Sequence, residues 1–226
     1  MKKANKPRKH SPNKGFPARR APEKPVRERI LKAAFAAFME RGYEGASTLE
    51  IATRAKVSKR EVYALFGNKH AMLAACVGER VEQMRLSLEL PPPHNRKALA
   101  LALTAFGVAV LREVSHPTVL AVHRLAIAEV ESSPQVAHTL HTIGRQPSQA
   151  VLADFLAAAQ ARGLIEEGEL TKMVMHFFAL LWGDLLLQLL LRVADLPSPR
   201  EIERRARAAT DAFLKLHPAS ENRPGL

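Results

Sequence analysis

The sequence predicts an all-α fold of about nine to ten helices, and two observations support this prediction. Apolar residues recur at spacings of three and four along most of the chain, and no segment shows a convincing alternation of apolar and polar residues. The composition is 47% hydrophobic but only 5% aromatic, so the enrichment in aromatic and β-branched residues that is typical of sheets is missing. We therefore expect helices that pack closely through alanine and leucine.

The positive charge of the chain is confined to one end. Residues 1–75 contain 18 Lys and Arg against 6 Asp and Glu, whereas residues 76–226 contain 16 of each, and the formal net charge is +12. A basic field at one end is typical of a protein that binds an anionic polymer with that end. We expect the neutral remainder to have a different function, namely dimerisation and the binding of a small molecule.

Residues 1–24 are predicted to be a disordered basic arm, because they hold nine Lys and Arg, five Pro and Gly, and a single acid. Two roles remain open for this arm: a solubilising tail, or a segment that lies along DNA phosphates. After the arm the pattern predicts four helices, which run from Pro25 to a glycine cap at Gly42, over Thr48–Ala55, over Lys59–Phe66, and from Lys69 to about Leu90, where three prolines follow.

Further helices are predicted after the three prolines. Together with the uneven distribution of charge, they indicate that the chain consists of two units. Residues 25–75 form a basic DNA-binding unit, and residues 76–226 form a larger helical unit for effector binding and dimerisation. The helices predicted for the second unit run over Asn95–Ser115, from Pro117, from Ser133 to a break at Gly144–Pro147, over Ser148–Arg162, over Glu169–Ala194 as one long helix, and from Ser198 to Leu216.

A helix-turn-helix is predicted for residues 47–66, STLEIATRAKVSKREVYALF. Ser47 or Thr48 is placed to cap the first helix, and Ser58 is placed to cap the second. These caps leave the side chains of Lys59, Arg60 and Tyr63 free to project outward. An ordinary helical hairpin has the same spacing, but the basic charge at this end of the chain favours DNA binding.

Residues 25–75 resemble the DNA-binding domain of the TetR family of bacterial transcription regulators. The resemblance rests on ILKAA at 30–34, Phe38 with Gly42 and Tyr43, TLEIA at 48–52, AKVSK at 55–59, Val62 with Tyr63, and FGNK at 66–69. Residues 119–216 resemble, more loosely, the regulatory domain of AefR-like members through HRLAIAE at 123–129 and the Ser-Pro that follows. The resemblance implies a cytoplasmic bacterial homodimer that binds double-stranded operator DNA as a repressor and is released by a small-molecule effector.

The resemblance also implies which residues contact DNA. Residues matching Thr48, Tyr63 and Lys69 hold phosphates in the family, and those matching Ser58–Arg60 face the major groove. The predicted DNA contacts are Ser47, Thr48, Lys56, Ser58, Lys59, Arg60, Tyr63 and Lys69. Lys56 stands where the family often has glycine, and a left-handed backbone there costs roughly 1 kcal/mol. Arg60 and Glu61 replace a small Gly-Thr pair and make the recognition surface bulkier and more charged.

Apolar stripes on the last two predicted helices are expected to form a dimeric four-helix bundle, as the resemblance implies, although a monomeric core would produce the same stripes. The predicted dimer contacts are Phe177, Leu181, Leu185, Ile202, Ala206, Ala209 and Phe213. Polar residues within these apolar helices are expected either to pair in the core or to line an effector pocket. The predicted pocket residues are Phe106, His123, Arg124, His176, Phe177 and Trp182.

Other classes of function fit the sequence less well. It contains no glycine-rich phosphate loop, nucleophile elbow or HExxH motif, so we expect neither an enzyme nor a cofactor. The single cysteine, Cys76, is expected to be a small buried hydrophobe, and His138 with His141 lacks the further ligands of a metal site. No apolar stretch reaches the roughly 20 residues of a bilayer span, so no membrane partner is expected. A non-specific, nucleoid-associated DNA-binding protein is the alternative, which explains the charge but not the large neutral part.

Overall fold

The computed structural model describes residues 24–85 and 92–220 of the chain. Within these residues the chain forms eleven α-helices and one π-helical segment, and contains no strand. The helices are α1 (Lys24–Gly45), α2 (Thr48–Ala55), α3 (Lys59–Phe66), α4 (Lys69–Arg85), α5 (Arg96–Val114), α6 (Pro117–Ala128), α7 (Pro134–Thr139), α8 (Gln146–Ala161), α9 (Leu170–Trp182), α10 (Leu185–Leu191) and α11 (Pro199–Leu216), and the π-helical segment is Leu140–Arg145. The predicted basic arm lies outside the described residues, apart from Lys24.

Helices α1 to α4 enclose a small core at the N-terminal end. Phe38, Ile51, Val62 and Leu73 are fully buried in it, one from each of the four helices. The regular geometry of α1 breaks at Gly42, which adopts φ 75° and ψ 173°. A positive φ carries no Cβ penalty for glycine, so the chain turns there and one further helical turn leads towards α2.

A second, larger core lies among α5, α8, α9, α10 and α11. Its largest buried side chains include Phe106 of α5, Phe177 of α9 and Phe213 of α11. Helix α11 lies against both α5 and α9. It approaches α5 closely at Gly107, where an added Cβ would lie only 3.2 Å from the Cβ of Ala206. The apolar side of α11 is therefore used within a single chain.

This packing overturns the predicted dimer contacts. Seven residues expected at an interface between two chains are each at most 5% exposed, namely Phe177, Leu181, Leu185, Ile202, Ala206, Ala209 and Phe213. They belong to the second core, since an amphipathic helix buries its apolar face against the nearest apolar surface. The monomeric core that the same stripes allowed is the correct interpretation for these residues.

Two predictions about helix continuity are also wrong. The single helix expected over Glu169–Ala194 is two helices, α9 and α10, which are bent by 53° on either side of Gly183. The break expected at Gly144–Pro147 is instead a π-helical segment that runs directly into α8. Pro147 lies in the first turn of α8, which directly follows the π-helical segment.

Side chains beyond α4 complete the N-terminal core. Leu125 and Ala126 of α6 and Val136 of α7 are buried within it. The sequence boundary drawn between residues 75 and 76 falls inside α4. No single described helix is long and apolar enough to span a membrane; α5 with α6, and α9 with α10, reach the length only as pairs bent by 65° and 53°.

Candidate nucleic-acid interface and ligand cavity

Two capped helices, α2 and α3, form the helix-turn-helix. The Ser47 hydroxyl accepts a hydrogen bond from the backbone N–H of Glu50 at 3.1 Å. The second cap is reciprocal: the Ser58 hydroxyl accepts from the N–H of Glu61 at 3.1 Å, and the Glu61 carboxylate accepts from the N–H of Ser58 at 2.7 Å. The N–H and the hydroxyl of Ser58 both donate to the Glu61 carboxylate, and these two bonds lower the pKa of that group. The caps fix where each helix begins and therefore which side chains of α3 face outward.

The turn between the two helices is tight and left-handed at Lys56, which adopts φ 55° and ψ 49°. The N–H of Lys56 donates to the carbonyl of Thr53, and the N–H of Val57 donates to the carbonyl of Ala52. These bonds satisfy the last carbonyls of α2 and offset the steric cost of a left-handed lysine. Lys56 is exposed at this turn between α2 and α3.

The outward face of α3 is polar and accessible. Lys59 and Arg60 are exposed, and the Tyr63 side chain is 45% exposed, with the Lys59 ammonium nitrogen 5.7 Å from the centre of its ring. Two of the residues predicted to contact DNA, Ser47 and Ser58, use their hydroxyls as helix caps. Their remaining capacity for a contact to DNA is therefore smaller than the sequence alone indicates.

Lys69 begins α4 beside this face and is held by the last turn of α1 after the break at Gly42, residues 42–45, which we call the corner. Its ammonium nitrogen donates to the carbonyl of Glu44 at 3.2 Å and lies 4.5 Å from the centre of the Tyr43 ring. The side chain is 23% exposed. Asn68 caps the same helix, since its side-chain oxygen accepts from the N–H of Ala71 at 2.8 Å. Lys69 thus joins the start of α4 to the end of α1.

The eight predicted DNA contacts lie at the start of α2, at the turn, along α3 and at the start of α4. Sequence reasoning missed the residues that brace this surface. Arg54 of α2 donates to the carboxylates of both Glu40 and Glu50, which lowers the pKa of Glu40, and Arg29 of α1 donates to the carbonyl of Ala55 at 3.2 Å. An arginine spaced four residues from a glutamate was the available signal for one of these pairs.

A cavity of about 510 Å³ lies between the N-terminal core and the second core. Its volume falls within the range of small-molecule sites. Most of its walls are apolar, and they come from both units. The lining residues include Phe35 of α1, Cys76 and Val77 of α4, Val110 and Val114 of α5, Val119 and Val122 of α6, Leu140 before α8, and Leu186 of α10.

Few polar groups line this cavity. The Nδ1 atom of His123 lies 2.8 Å from the carbonyl oxygen of Val119, and burial lowers the pKa of this histidine. The indole N–H of Trp182 is buried and has no hydrogen-bond partner among the described residues. The Arg145 guanidinium lies 5.0 Å from the centre of the Trp182 ring, and the other polar lining residues are Glu113, Thr118, His141 and Ser148.

Cys76 also lines the cavity, where its environment makes the thiol unreactive. Its sulfur lies 3.6 Å from the carbonyl oxygen of Leu31. Burial is the main reason why the pKa of the thiol is raised to about 12. Because the thiolate is the reactive form of cysteine, this site favours packing over redox chemistry.

The structure places only two of the six predicted pocket residues, His123 and Trp182, in the lining of this cavity. Phe106 and Phe177 pack against each other in the second core, and Arg124 donates to the carbonyls of Leu189 and Leu190 at the end of α10. His176 stacks on His217 on another side of the molecule. These roles could not be distinguished from sequence, because a polar residue in an apolar helix produces the same sequence pattern whether it caps another helix or lines a cavity.

Hydrogen bonds from the turn after α6 hold the corner at the end of α1. The Glu129 carboxylate accepts from the N–H of Tyr43 at 2.8 Å and, through its other oxygen, from the Ser132 hydroxyl at 2.8 Å. The Ser133 hydroxyl donates to the carboxylate of Glu44. A Cβ added at Gly42 would lie 2.7 Å from the Glu129 carboxylate, so this contact requires glycine there. Because Glu44 also binds Lys69, the corner links the turn to the start of α4.

The outer side of α9 and α10 carries exposed apolar side chains. Met175 and Leu180 of α9, and Leu187 and Leu191 of α10, are 41–62% exposed. We call these four residues the outer row. They lie on the opposite side of the helices from the buried residues Phe177, Leu181, Leu185 and Leu189. An apolar surface of this kind is typical of an interaction site.

Two family models match this chain. Residues 30–76 match the model of bacterial regulatory proteins of the tetR family. Residues 101–217 match the C-terminal domain of AefR-like transcriptional repressors, and this second match alone covers slightly more than half of the 226 residues.

Similar proteins are found over most of the chain length. YvkB of Bacillus subtilis strain 168, an uncharacterised HTH-type transcriptional regulator, is 25% identical over 194 residues, which are 85% of this chain and 97% of that protein. The structure of the flavonoid-responsive regulator FrrA superposes with a TM-score of 0.72 at 29% identity, covering 85% of this chain and 96% of that one. A TetR transcriptional regulator from Agrobacterium tumefaciens has the same fold, with a TM-score of 0.72 at 24% identity and coverage of 86% and 96%.

Proposed function

Because this chain belongs to the TetR family of bacterial transcription regulators, we propose that it is a repressor whose binding to operator DNA is released by a small molecule. The chain is a sequence-specific DNA-binding regulator with a helix-turn-helix. We assign DNA binding to residues 25–75, and effector binding and dimerisation to residues 76–226. Its site of action is the bacterial cytoplasm.

The cavity is the observation that carries this proposal. Phe35 of α1 belongs to the unit that holds the helix-turn-helix, and Cys76 lies on α4, the helix that begins in that unit; both share the cavity wall with α5, α6 and α10. A molecule that fills this space contacts both units at once. It shifts the protein towards the arrangement in which the walls fit it best, and it releases DNA when that arrangement differs from the DNA-bound one.

The hydrogen bonds around Glu129 supply a route from the cavity to the DNA-binding surface. Ile127 and Val130, on either side of Glu129, line the cavity. Glu129 binds the N–H of Tyr43, and the adjoining Glu44 binds Lys69. Displacement of the turn after α6 would therefore move the corner, and with it a residue assigned to a DNA phosphate.

Lys69 must exchange one partner for another when DNA binds. In the free chain its ammonium group lies 3.2 Å from the Glu44 carbonyl and 3.8 Å from the Glu44 carboxylate. A phosphate oxygen would replace the Glu44 carboxylate as the partner of this ammonium group. The helix N-terminus that begins at Lys69 favours the same anion.

The outer row supports a homodimer whose interface differs from the one predicted from the stripes. Its four apolar side chains remain available after the second core is complete. Two copies joined along α9 and α10 would hold their helix-turn-helix units at a fixed separation. A symmetric operator requires that separation to match one helical turn of DNA, about 34–36 Å, or a multiple of it.

Selection of duplexes from a random DNA library, followed by footprinting, tests the function. We expect an inverted repeat whose half-sites are one or more helical turns apart, and an affinity that falls steeply with salt. Salt-sensitive binding to all duplexes with no enriched sequence would contradict the proposal. A variant lacking residues 1–24 separates the contribution of the basic arm, since it removes nine of the positive charges.

A further inference from the structure

His123 of α6 lines the cavity, and one nitrogen of its ring is engaged by its own helix. This nitrogen, Nδ1, faces a carbonyl oxygen, which can only accept, so the proton of the neutral ring is on Nδ1 and Nε2 carries a lone pair. The cavity therefore offers a hydrogen-bond acceptor at His123, in a wall that is mostly apolar.

From this acceptor we infer that the cavity binds uncharged hydroxyl compounds with an apolar body, their hydroxyl donating to Nε2 of His123. This inference rests on the proposed function, because it names the class of effector for the same cavity. The walls favour an apolar body, because Val, Leu, Ile, Ala, Phe and Gly make up the lining apart from His123, Trp182, Arg145, Glu113, His141, Thr118, Ser148 and Cys76. Burying a polar group that has no partner there would be costly.

A carboxylate fits this acceptor less well than a hydroxyl does. It has no proton to give to the lone pair of His123. Burial keeps His123 in its neutral form, so the lone pair is present at neutral pH. Arg145 is the one arginine among the lining residues, and its guanidinium is already stacked on the Trp182 ring on an exposed part of the wall.

Calorimetric titration of the full chain without DNA tests this inference with three matched probes: β-naphthol, its methyl ether and β-naphthoate. The naphthol can donate and accept, the ether can only accept, and the naphthoate is an anion. We expect the naphthol to bind tightest, the ether roughly 3- to 10-fold more weakly for the loss of one hydrogen bond, and the naphthoate most weakly. Equal affinities for naphthol and ether, preference for the carboxylate, or binding of none of the three would overturn the inference.

Variants test the assignment of this preference to His123. His123→Phe should bind naphthol and ether equally, whereas His123→Gln, whose side-chain oxygen can accept the same bond, should keep part of the difference. Trp182→Phe changes another part of the wall and should leave the ratio of the two affinities unchanged. His138→Phe is the matched control, since His138 is an exposed histidine of α7 that is absent from the cavity wall. A naphthol preference that survives His123→Phe would refute the role of His123.

The outcome is separable from that of the proposed function. Binding of the probes is measured without DNA, and sequence-selective DNA binding is measured without probes. Selective DNA binding together with no naphthol preference would remove only the inference about the effector class. Naphthol binding together with unselective DNA binding would leave the cavity chemistry intact and contradict the regulator.

Discussion

The carboxylate of Glu129 lies 2.8 Å from the backbone nitrogen of Tyr43, across 86 residues of sequence. Tyr43 directly follows the break at Gly42, and the contact leaves no room for a Cβ on that glycine. One hydrogen bond therefore joins the turn after α6, beside the cavity, to the corner that precedes the helix-turn-helix. Because its two partners are 86 residues apart in sequence, this hydrogen bond is a tertiary contact that no local sequence pattern encodes.

Loss of this bond should destabilise the chain and weaken DNA binding. Glu129→Ala leaves the Tyr43 N–H without its acceptor, and we expect the free energy of unfolding to fall by about 1–3 kcal/mol. Glu129→Gln keeps one acceptor oxygen and should cost less. Denaturant unfolding measures both changes, with Glu131→Gln as the control on the same turn, because Glu131 is exposed. An Ala variant as stable as the Glu131 control would show that the bond contributes nothing.

Removal of an expected phosphate contact should weaken binding on every DNA sequence alike. Tyr63→Phe deletes one exposed hydroxyl and preserves the ring beside Lys59, and Lys69→Ala deletes one cation. For Lys69→Ala, the slope of log affinity against log salt should decrease by about 1. Fluorescence anisotropy on several duplexes over a range of salt checks this. A change in the preferred base with either variant would show that the residue reads sequence instead.

Arg60 is expected to set base preference. It is exposed on α3 and has the forked guanidinium that suits a guanine edge. Arg60→Ala should relax the preference at one or two base pairs, each by roughly 1–3 kcal/mol, and selection from a random duplex library measures this change. Arg200→Ala, an exposed arginine at the start of α11, is the control. An unchanged consensus for the Arg60 variant would exclude the assigned role.

Charge placed in the outer row should separate the dimer without unfolding the chain. Leu187 is 59% exposed, so Leu187→Glu should yield a folded monomer that has lost most of its operator affinity. Leu101→Glu, at a 63% exposed leucine of α5, should remain a dimer. Phe213→Glu should instead lower the melting temperature sharply, because Phe213 is fully buried and an unpaired charge there is costly. Sedimentation and thermal unfolding distinguish the three, and a monomeric wild type at micromolar concentration would remove the dimer altogether.

His123 should make folding stability depend on pH. Its pKa is lowered from 6.5 in the folded chain, so the unfolded chain binds more protons at mildly acidic pH and stability falls as the pH drops below about 6.5. The other ionisable groups lining the cavity are Arg145, Glu113, His141 and the thiol of Cys76. His123→Leu should flatten this part of the pH profile of denaturant unfolding, whereas His138→Leu should not. Identical profiles for the wild type and His123→Leu would show that this histidine is not the source.

The short helices of the DNA-binding part could be predicted from sequence almost residue by residue. Thr48–Ala55 and Lys59–Phe66 begin and end where the capping serines and the turn indicate. The left-handed backbone at Lys56 was likewise anticipated from the turn position. These features depend on residues within a few positions of each other, so local chemistry is sufficient to specify them.

What the sequence by itself determined is therefore the helical class, the DNA-binding end with its charge, and the residues on the exposed face of α3. Only the tertiary structure decided which apolar face each later helix buries, where α9 bends at Gly183, and which polar residues meet around a cavity. The physical reason is that an apolar stripe is equally satisfied by its own core or by a second chain. The choice depends on contacts such as that of Gly107 with Ala206, and of Glu129 with Tyr43, between residues distant in sequence.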